Sequence, residues 1–262
     1  MSDDYDENDD NGDNDSAERP WNRKDAEPEE PKRSFLRELA VILVVVLAVA
    51  WIAQTFLFRQ YVVPSQSMEP TLVGGPGPNG EARSNDRIVI DKLVYRFSDP
   101  QPGDVIVFKA PSDDWDDSGP PRDSSTLSGK FLDVLSWFGY APPNEYSLVK
   151  RVIAVGGQTV ECHNADGGTK VDGKLIKQPF VDSAIQPPGS PPCFDMEFGP
   201  VKVPEGNVWV MGDNRSMSAD SRYHQGDEFH GTVPRNDIRG KVRFIIWPLS
   251  RMGGVGSVNP QK

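Results

Sequence analysis

Three short segments concentrate the residue types that can break a peptide bond. The first is Pro64-Ser65-Gln66-Ser67-Met68-Glu69-Pro70-Thr71-Leu72, where two hydroxyls flank one residue and Pro70 stiffens the chain behind them. A serine hydroxyl is a weak nucleophile until a base takes its proton. The second segment, Lys150-Arg151-Val152-Ile153-Ala154-Val155-Gly156-Gly157, offers such a base. Strand alternation would place Lys150 on one face with Tyr146, Leu148, Val152 and Ala154. Burial among such neighbours disfavours the ammonium form and lowers the lysine pKa, and a neutral amine accepts a serine proton. An edge-strand lysine that discourages aggregation would leave the same trace. The third segment, Gly212-Asp213-Asn214-Arg215-Ser216-Met217-Ser218-Ala219-Asp220-Ser221-Arg222, follows the apolar run Val208–Met211. So many donors and acceptors need partners, as in an active-site wall, or else water, as in a surface loop.

Other chemistries fit less well. Ser147-Leu148-Val149-Lys150 is literally S-x-x-K, as in penicillin-binding proteins and β-lactamases. That motif needs its Ser and Lys one helical turn apart, whereas a strand points residues 147 and 150 to opposite faces, and no Lys-Thr-Gly partner motif is present. Cys162 and Cys193 form no Cys-x-x-Cys pair, and the spacing of His163, His224 and His230 completes no zinc site, so no metal is expected. A Cys162–Cys193 disulfide is expected if this part of the chain lies outside the cytosol.

The elements that would position these residues are short. Arg87–Val94, Asp104–Lys109, Tyr146–Val155, Asn207–Met211 and Gly240–Trp247 read as strands, and Val171–Ile176 around Asp172-Gly173 reads as a hairpin. Many short strands with little helical periodicity give a mainly-β fold class: antiparallel sheets, stacked or forming a partly open barrel. Residues 110–146 and 177–200, rich in Pro, look like inserts. Within the first, the apolar stretch Phe131–Tyr140 reads as a short helix that either packs on the domain or dips into a membrane interface.

Ahead of the strands, Leu39–Phe58 is a run of 20 residues without charge, about 30 Å as a helix and so the thickness of a bilayer core. Lys32, Arg33 and Arg37 precede it and Arg59 follows, which by the positive-inside rule leaves the N-terminus cytoplasmic. A cleaved signal peptide, with Ala48-Val49-Ala50 as its cleavage site, and a buried core helix are the alternatives; the first is opposed by apolar residues continuing to Phe58. The expected organisation is an acidic tail (1–34), an anchor (35–59) and an extracytoplasmic domain (60–262). Residues 1–31 hold thirteen Asp or Glu against three Lys or Arg, so nearly all of the net charge of −11 belongs to the tail. Such a tract buries too little apolar surface to order itself, and reads as a solvated spacer or a docking tail. No basic patch points to nucleic acid. Ser67 is nine positions after Phe58, so an extended chain keeps Ser67 within roughly 30 Å of the membrane surface.

Taken together, the Ser67 segment, Gly103–Lys109, Lys150-Arg151 and Gly212–Arg222 resemble, in order, the sequence boxes of bacterial type I signal peptidases. The resemblance covers roughly 60–109, 145–160 and 205–247. It implies a membrane-bound serine endopeptidase with a Ser/Lys dyad and no cofactor, acting on the outer face of the plasma membrane. It also implies partners: preproteins cut after small residues at −1 and −3, the lipid bilayer, and proximity to the protein-export channel. Carried over by position, Ser67 is the nucleophile and Lys150 the base. The Ser65 hydroxyl and the Ser67 backbone N–H form the oxyanion hole. Ser218 holds Lys150, and Asp213, Arg151, Asp220 and Arg222 support the site. Gln158 stands where many members carry Asp, and Ser216-Met217 replaces a commoner acidic/amide pair. A self-cleaving regulatory Ser/Lys protease and an anchored binding domain with a dead site are the rival readings.

Overall fold

The computed structural model describes residues 35–52, 57–77, 79–115, 125–137, 147–184, 187, 189–194 and 196–262. The acidic tail therefore lies outside the described residues, as do Tyr146 and residues 138–140 of the apolar stretch. The chain divides into two units between Val46 and Leu47. Helix α1 spans Phe35–Ile52. Its 18 residues, about 27 Å of rise, have no buried member, and it is the one described helix long and apolar enough to cross a membrane. The uncharged run does not all join it. Phe58 and Arg59 open strand β1 (Phe58–Val62), because they pair in register with Asp91 and Ile90 of β2 (Arg87–Asp91).

The remaining strands are β3 (Val105–Lys109), β4 (Ser147–Val155), β5 (Thr159–His163), β6 (Gly168–Val171), β7 (Lys174–Leu175), β8 (Phe198–Lys202), β9 (Asn207–Met211), β10 (Val233–Pro234), β11 (Ile238–Trp247) and β12 (Gly253–Gly254). Two helices, α2 (Val94–Phe97) and α3 (Leu127–Trp137), interrupt them. The larger sheet runs β1-β2-β11-β3-β4-β9-β10 with β12 added to β11, and the smaller runs β7-β6-β5-β8. The strand pairings are antiparallel, so the chain is mainly β. The β6–β7 hairpin turns on Asp172 and Gly173, both at positive φ (50° and 74°), the geometry of a two-residue type I′ turn.

The larger sheet is covered on both faces, which is why β3 reads Val-Ile-Val-Phe without polar alternation. Val105 and Val107 pack with Met68, Leu72, Ile88 and Ile90, while Ile106 and Phe108 pack with Trp115, Val152 and Val210. A third cluster joins the smaller sheet to the ends of β4 and β9 through Ile153, Val160, Phe198 and Trp209. The Pro-rich segment read as an insert at 177–200 is part of this core: Phe180 and Cys193 are buried in it and β8 begins inside it. Cys162 and Cys193 are joined by a disulfide with Cα atoms 5.7 Å apart.

Candidate active site

Ser67 sits in a short 3-10 turn, Gln66–Met68, held down by the fully buried side chains of Met68 and Leu72. Its backbone carbonyl accepts the N–H of Asn214 (3.1 Å), which fastens the turn to the loop after β9. On β4, Lys150 is opposite Ile106 and Arg151 opposite Val105, so the two cations project to opposite faces of the ladder. Lys150 is 3% exposed, and its Nζ lies 2.7 Å from Ser67 Oγ. The Ser65 and Ser67 hydroxyl oxygens are 3.2 Å apart. Burial lowers the Lys150 pKa to about 8; Asp220 and Asp213 pull it up, and Arg222 pushes it down.

Two buried ion pairs surround this contact. Arg151 meets Asp213 through two hydrogen bonds, Nε to Oδ1 (2.8 Å) and Nη2 to Oδ2 (2.7 Å), while Nη1 donates to the Gly103 carbonyl (2.8 Å). Thr71 Oγ1 also donates to Asp213 Oδ2 (2.5 Å), tying the Ser67 segment to the same carboxylate. Asp220 accepts from Arg222 Nε (2.8 Å) and Nη2 (2.9 Å), from the Gly212 N–H (2.9 Å) and from the Ser218 hydroxyl (2.7 Å). Burial alone would raise Asp220, but Arg222 and these donors hold it below the usual carboxylate range. Ser218 thus spends its proton on Asp220, and the hydrogen bond of Lys150 goes to Ser67.

Sequence reasoning passed over Arg215, which is 1% exposed and donates from Nε to the Gly212 carbonyl (2.9 Å). Burial, reinforced by Arg222, pushes its guanidinium down to about 9. Three guanidiniums, from residues 151, 215 and 222, therefore face two carboxylates, Asp213 and Asp220. Phe180 was also missed; its ring lies under the Arg151 guanidinium at 4.3 Å. The signal for both was weak, an arginine in a polar loop and a phenylalanine in a Pro-rich stretch.

Gly212 explains how the two loops come so close. A Cβ there would stand 2.3 Å from Ser218 Oγ and 2.4 Å from the Ser67 carbonyl oxygen, so a hydrogen is all that fits. The S-x-x-K alternative fails on geometry: Ser147 and Lys150 lie in one continuous strand, and Ser147 Oγ is buried without a hydrogen-bond partner among the described residues. Among the described residues, no group of His, Cys, Asp or Glu could hold a metal ion.

A family model described as "Signal peptidase, peptidase S26" matches residues 36–247, most of the chain. The chain belongs to the signal peptidase S26 family. It is 49% identical over 247 residues to Signal peptidase I of Mycobacterium tuberculosis, covering 91% of this chain and 82% of that protein. It is 47% identical over 249 residues to the Probable signal peptidase I of Mycobacterium leprae, covering 89% and 84%. A solved signal peptidase I from Enterococcus faecalis is 24% identical, with a TM-score of 0.36 and coverage of 55% of this chain and 97% of that one. Within this signal peptidase, Gln158 takes a turn role. Its Oε1 accepts the Val155 N–H (3.0 Å), and its Nε2 reaches Asp172 (3.2 Å).

Proposed function

We propose that this signal peptidase is a membrane-anchored serine endopeptidase that frees exported preproteins of their signal peptides with a Ser67/Lys150 dyad. The observation that carries the reading is the 2.7 Å contact between a buried lysine, lowered to about 8, and a buried serine. Ser67 Oγ attacks the scissile carbonyl carbon as its proton passes to the neutral Nζ of Lys150. The resulting oxyanion is held by the Ser67 N–H and the Ser65 hydroxyl. The lysine then gives its proton to the leaving amine, whose C–N bond breaks, and an acyl-enzyme remains on Ser67. Lys150 next takes a proton from water, which attacks the ester and releases the new carboxyl terminus, and the proton returns to Ser67.

Arg222 and Asp213 act through position. They fix the strand and loop that carry the dyad; Arg222 opposes the ammonium form of Lys150, whereas Asp213 favours it. Ser218 acts at one remove, by fixing Asp220 beside Lys150. Helix α1 supplies the anchor, with the catalytic unit on the outer face of the plasma membrane. Cleavage after small residues at −1 and −3 is the corresponding specificity. Incubating the purified protein with a preprotein and with a version whose A-x-A residues are made bulky tests the reading. Site-specific cleavage of the first alone is expected. Equal cleavage of both, or retained activity in Ser67→Ala, would overturn it.

A further inference from the structure

The Arg151 guanidinium is engaged all along its edge. Nε and Nη2 donate to Asp213, Nη2 also reaches Thr71 Oγ1 (3.3 Å), and Nη1 donates to the Gly103 carbonyl. A further support must therefore act on the face of the plane. Phe180 does so: its ring centroid lies 4.3 Å from Arg151 Cζ, within the range of a cation–π contact. The same centroid is 5.8 Å from Cζ of Arg215, whose Nη2 is buried without a hydrogen-bond partner among the described residues. Phe180 also belongs to the apolar cluster of Ile153, Trp209 and Met211, from the strand that carries Lys150 and the strand that leads into the Gly212 loop.

The segment that carries Phe180 is pinned. The Lys177 N–H donates to the Pro260 carbonyl (2.7 Å), the Val181 N–H closes a turn on the Gln178 carbonyl (3.1 Å), and further along Cys193 is bonded to Cys162. Arg151 and Phe180 share, with Pro70, Thr71 and Val258, the lining of a cavity of about 650 Å³. Arg151 is nonetheless only 1% exposed. A side chain without the ring at position 180 would open the guanidinium face to that cavity. We infer that Phe180 is a positioning residue for the dyad, its ring holding Arg151 square on Asp213 and so fixing that carboxylate relative to Lys150. This rests on the serine/lysine reading above, and Phe180 acts through Arg151 rather than on the reacting atoms. The charged groups acting on Lys150 are Asp220, Arg222 and Asp213, and its hydrogen-bond partner is Ser67. Asp213 favours the ammonium form. While Arg151 engages both oxygens of Asp213, that pull is muted; when the pair loosens, the pull grows and the lysine holds its proton to higher pH.

The test measures the pH profile of peptide cleavage by the full chain in neutral detergent, for the wild type and for Phe180→Leu, Phe180→Met and Phe180→Tyr. Leucine and methionine keep an apolar side chain in the core, a change that cores usually tolerate, but offer no ring face. Both should raise the midpoint of kcat/KM by about half a unit, which lowers the rate near pH 7 about threefold through protonation of Lys150 alone. The loss should fall on kcat with KM unchanged. Phe180→Tyr keeps the ring face and should restore the wild-type midpoint. A support that only stabilises the fold would lower the unfolding midpoint of the leucine and methionine variants and leave their pH midpoint in place. A wild-type profile without a slope would defeat the dyad itself. A sloping wild-type profile with the same midpoint in the leucine and methionine variants, or a tyrosine variant shifted as far as they are, would overturn the role of Phe180 and leave the dyad standing.

Discussion

Arg151 and Asp213 form a two-bond ion pair, 2.8 and 2.7 Å, between the residue next to Lys150 and the loop that closes over Ser67. Both side chains are at most 2% exposed. Removing one partner of such a pair strands a buried charge, at a cost of about 3–5 kcal/mol. Asp213→Ala should lose roughly that much on denaturant unfolding of the solubilised enzyme, and Asp213→Asn, which keeps the shape and an acceptor, should lose less. A change below about 0.5 kcal/mol for the alanine variant, the size of an ordinary surface effect, would show that the pair does not brace the site.

Ser65→Ala should lower kcat by about 10²–10³ with little change in KM, the usual cost of one oxyanion donor. The 3.2 Å separation of the two hydroxyl oxygens puts Ser65 beside the nucleophile, where it can turn to the developing charge. A pure KM effect would assign Ser65 to substrate binding instead.

Gly212→Ala should be nearly as damaging as a direct active-site substitution. The new methyl meets a backbone carbonyl at 2.4 Å and a buried hydroxyl at 2.3 Å, neither a flexible side-chain end. Overpacking of this kind costs about 1–3 kcal/mol, and it displaces Ser67 in particular. A variant with wild-type kcat and stability would contradict the close approach.

The disulfide closes a loop with a sequence separation of 31. The chain-entropy model gives about 3–4 kcal/mol for a loop of that length. Replacing both Cys162 and Cys193 by alanine should lower stability accordingly while leaving the dyad in place, since the bridge lies in the core of the smaller sheet. Quantitative alkylation of both thiols in unreduced enzyme would contradict the bridge.

Much of the molecule could be read from the chain, for identifiable reasons. Val105-Ile106-Val107-Phe108 is β-branched and apolar, and Asp172-Gly173 is a turn dipeptide, so β3 and the β6–β7 hairpin carry their own local signals. Strands β1, β5 and β8 escaped notice. Phe58 continues an apolar helix in composition and joins a sheet only because β2 offers it a partner, while Phe198-Gly-Pro-Val-Lys looks like loop until β5 pairs with it. In the site, the serine and the lysine stood out because a hydroxyl repeat and a charge in an apolar strand are locally odd. Arg215, and the proton Ser218 gives to Asp220, were hidden, because which polar groups in a dense loop meet is decided only when it folds back on Ser67.

The pH dependence of kcat/KM tests the dyad most directly. Lys150 must be neutral to accept the Ser67 proton, and burial, helped by Arg222 and opposed by Asp220 and Asp213, brings its pKa from the ordinary 10.5 to about 8. The protonated form dominates below that value and is inactive, so the rate should climb with pH and level off above a midpoint near 8. Lys150→Arg should be inactive across the range, because its guanidinium stays charged. A flat profile from about pH 6 to 10, spanning the ordinary and shifted values, or an active Lys150→Arg enzyme, would contradict the serine/lysine mechanism even if Ser67 proved essential.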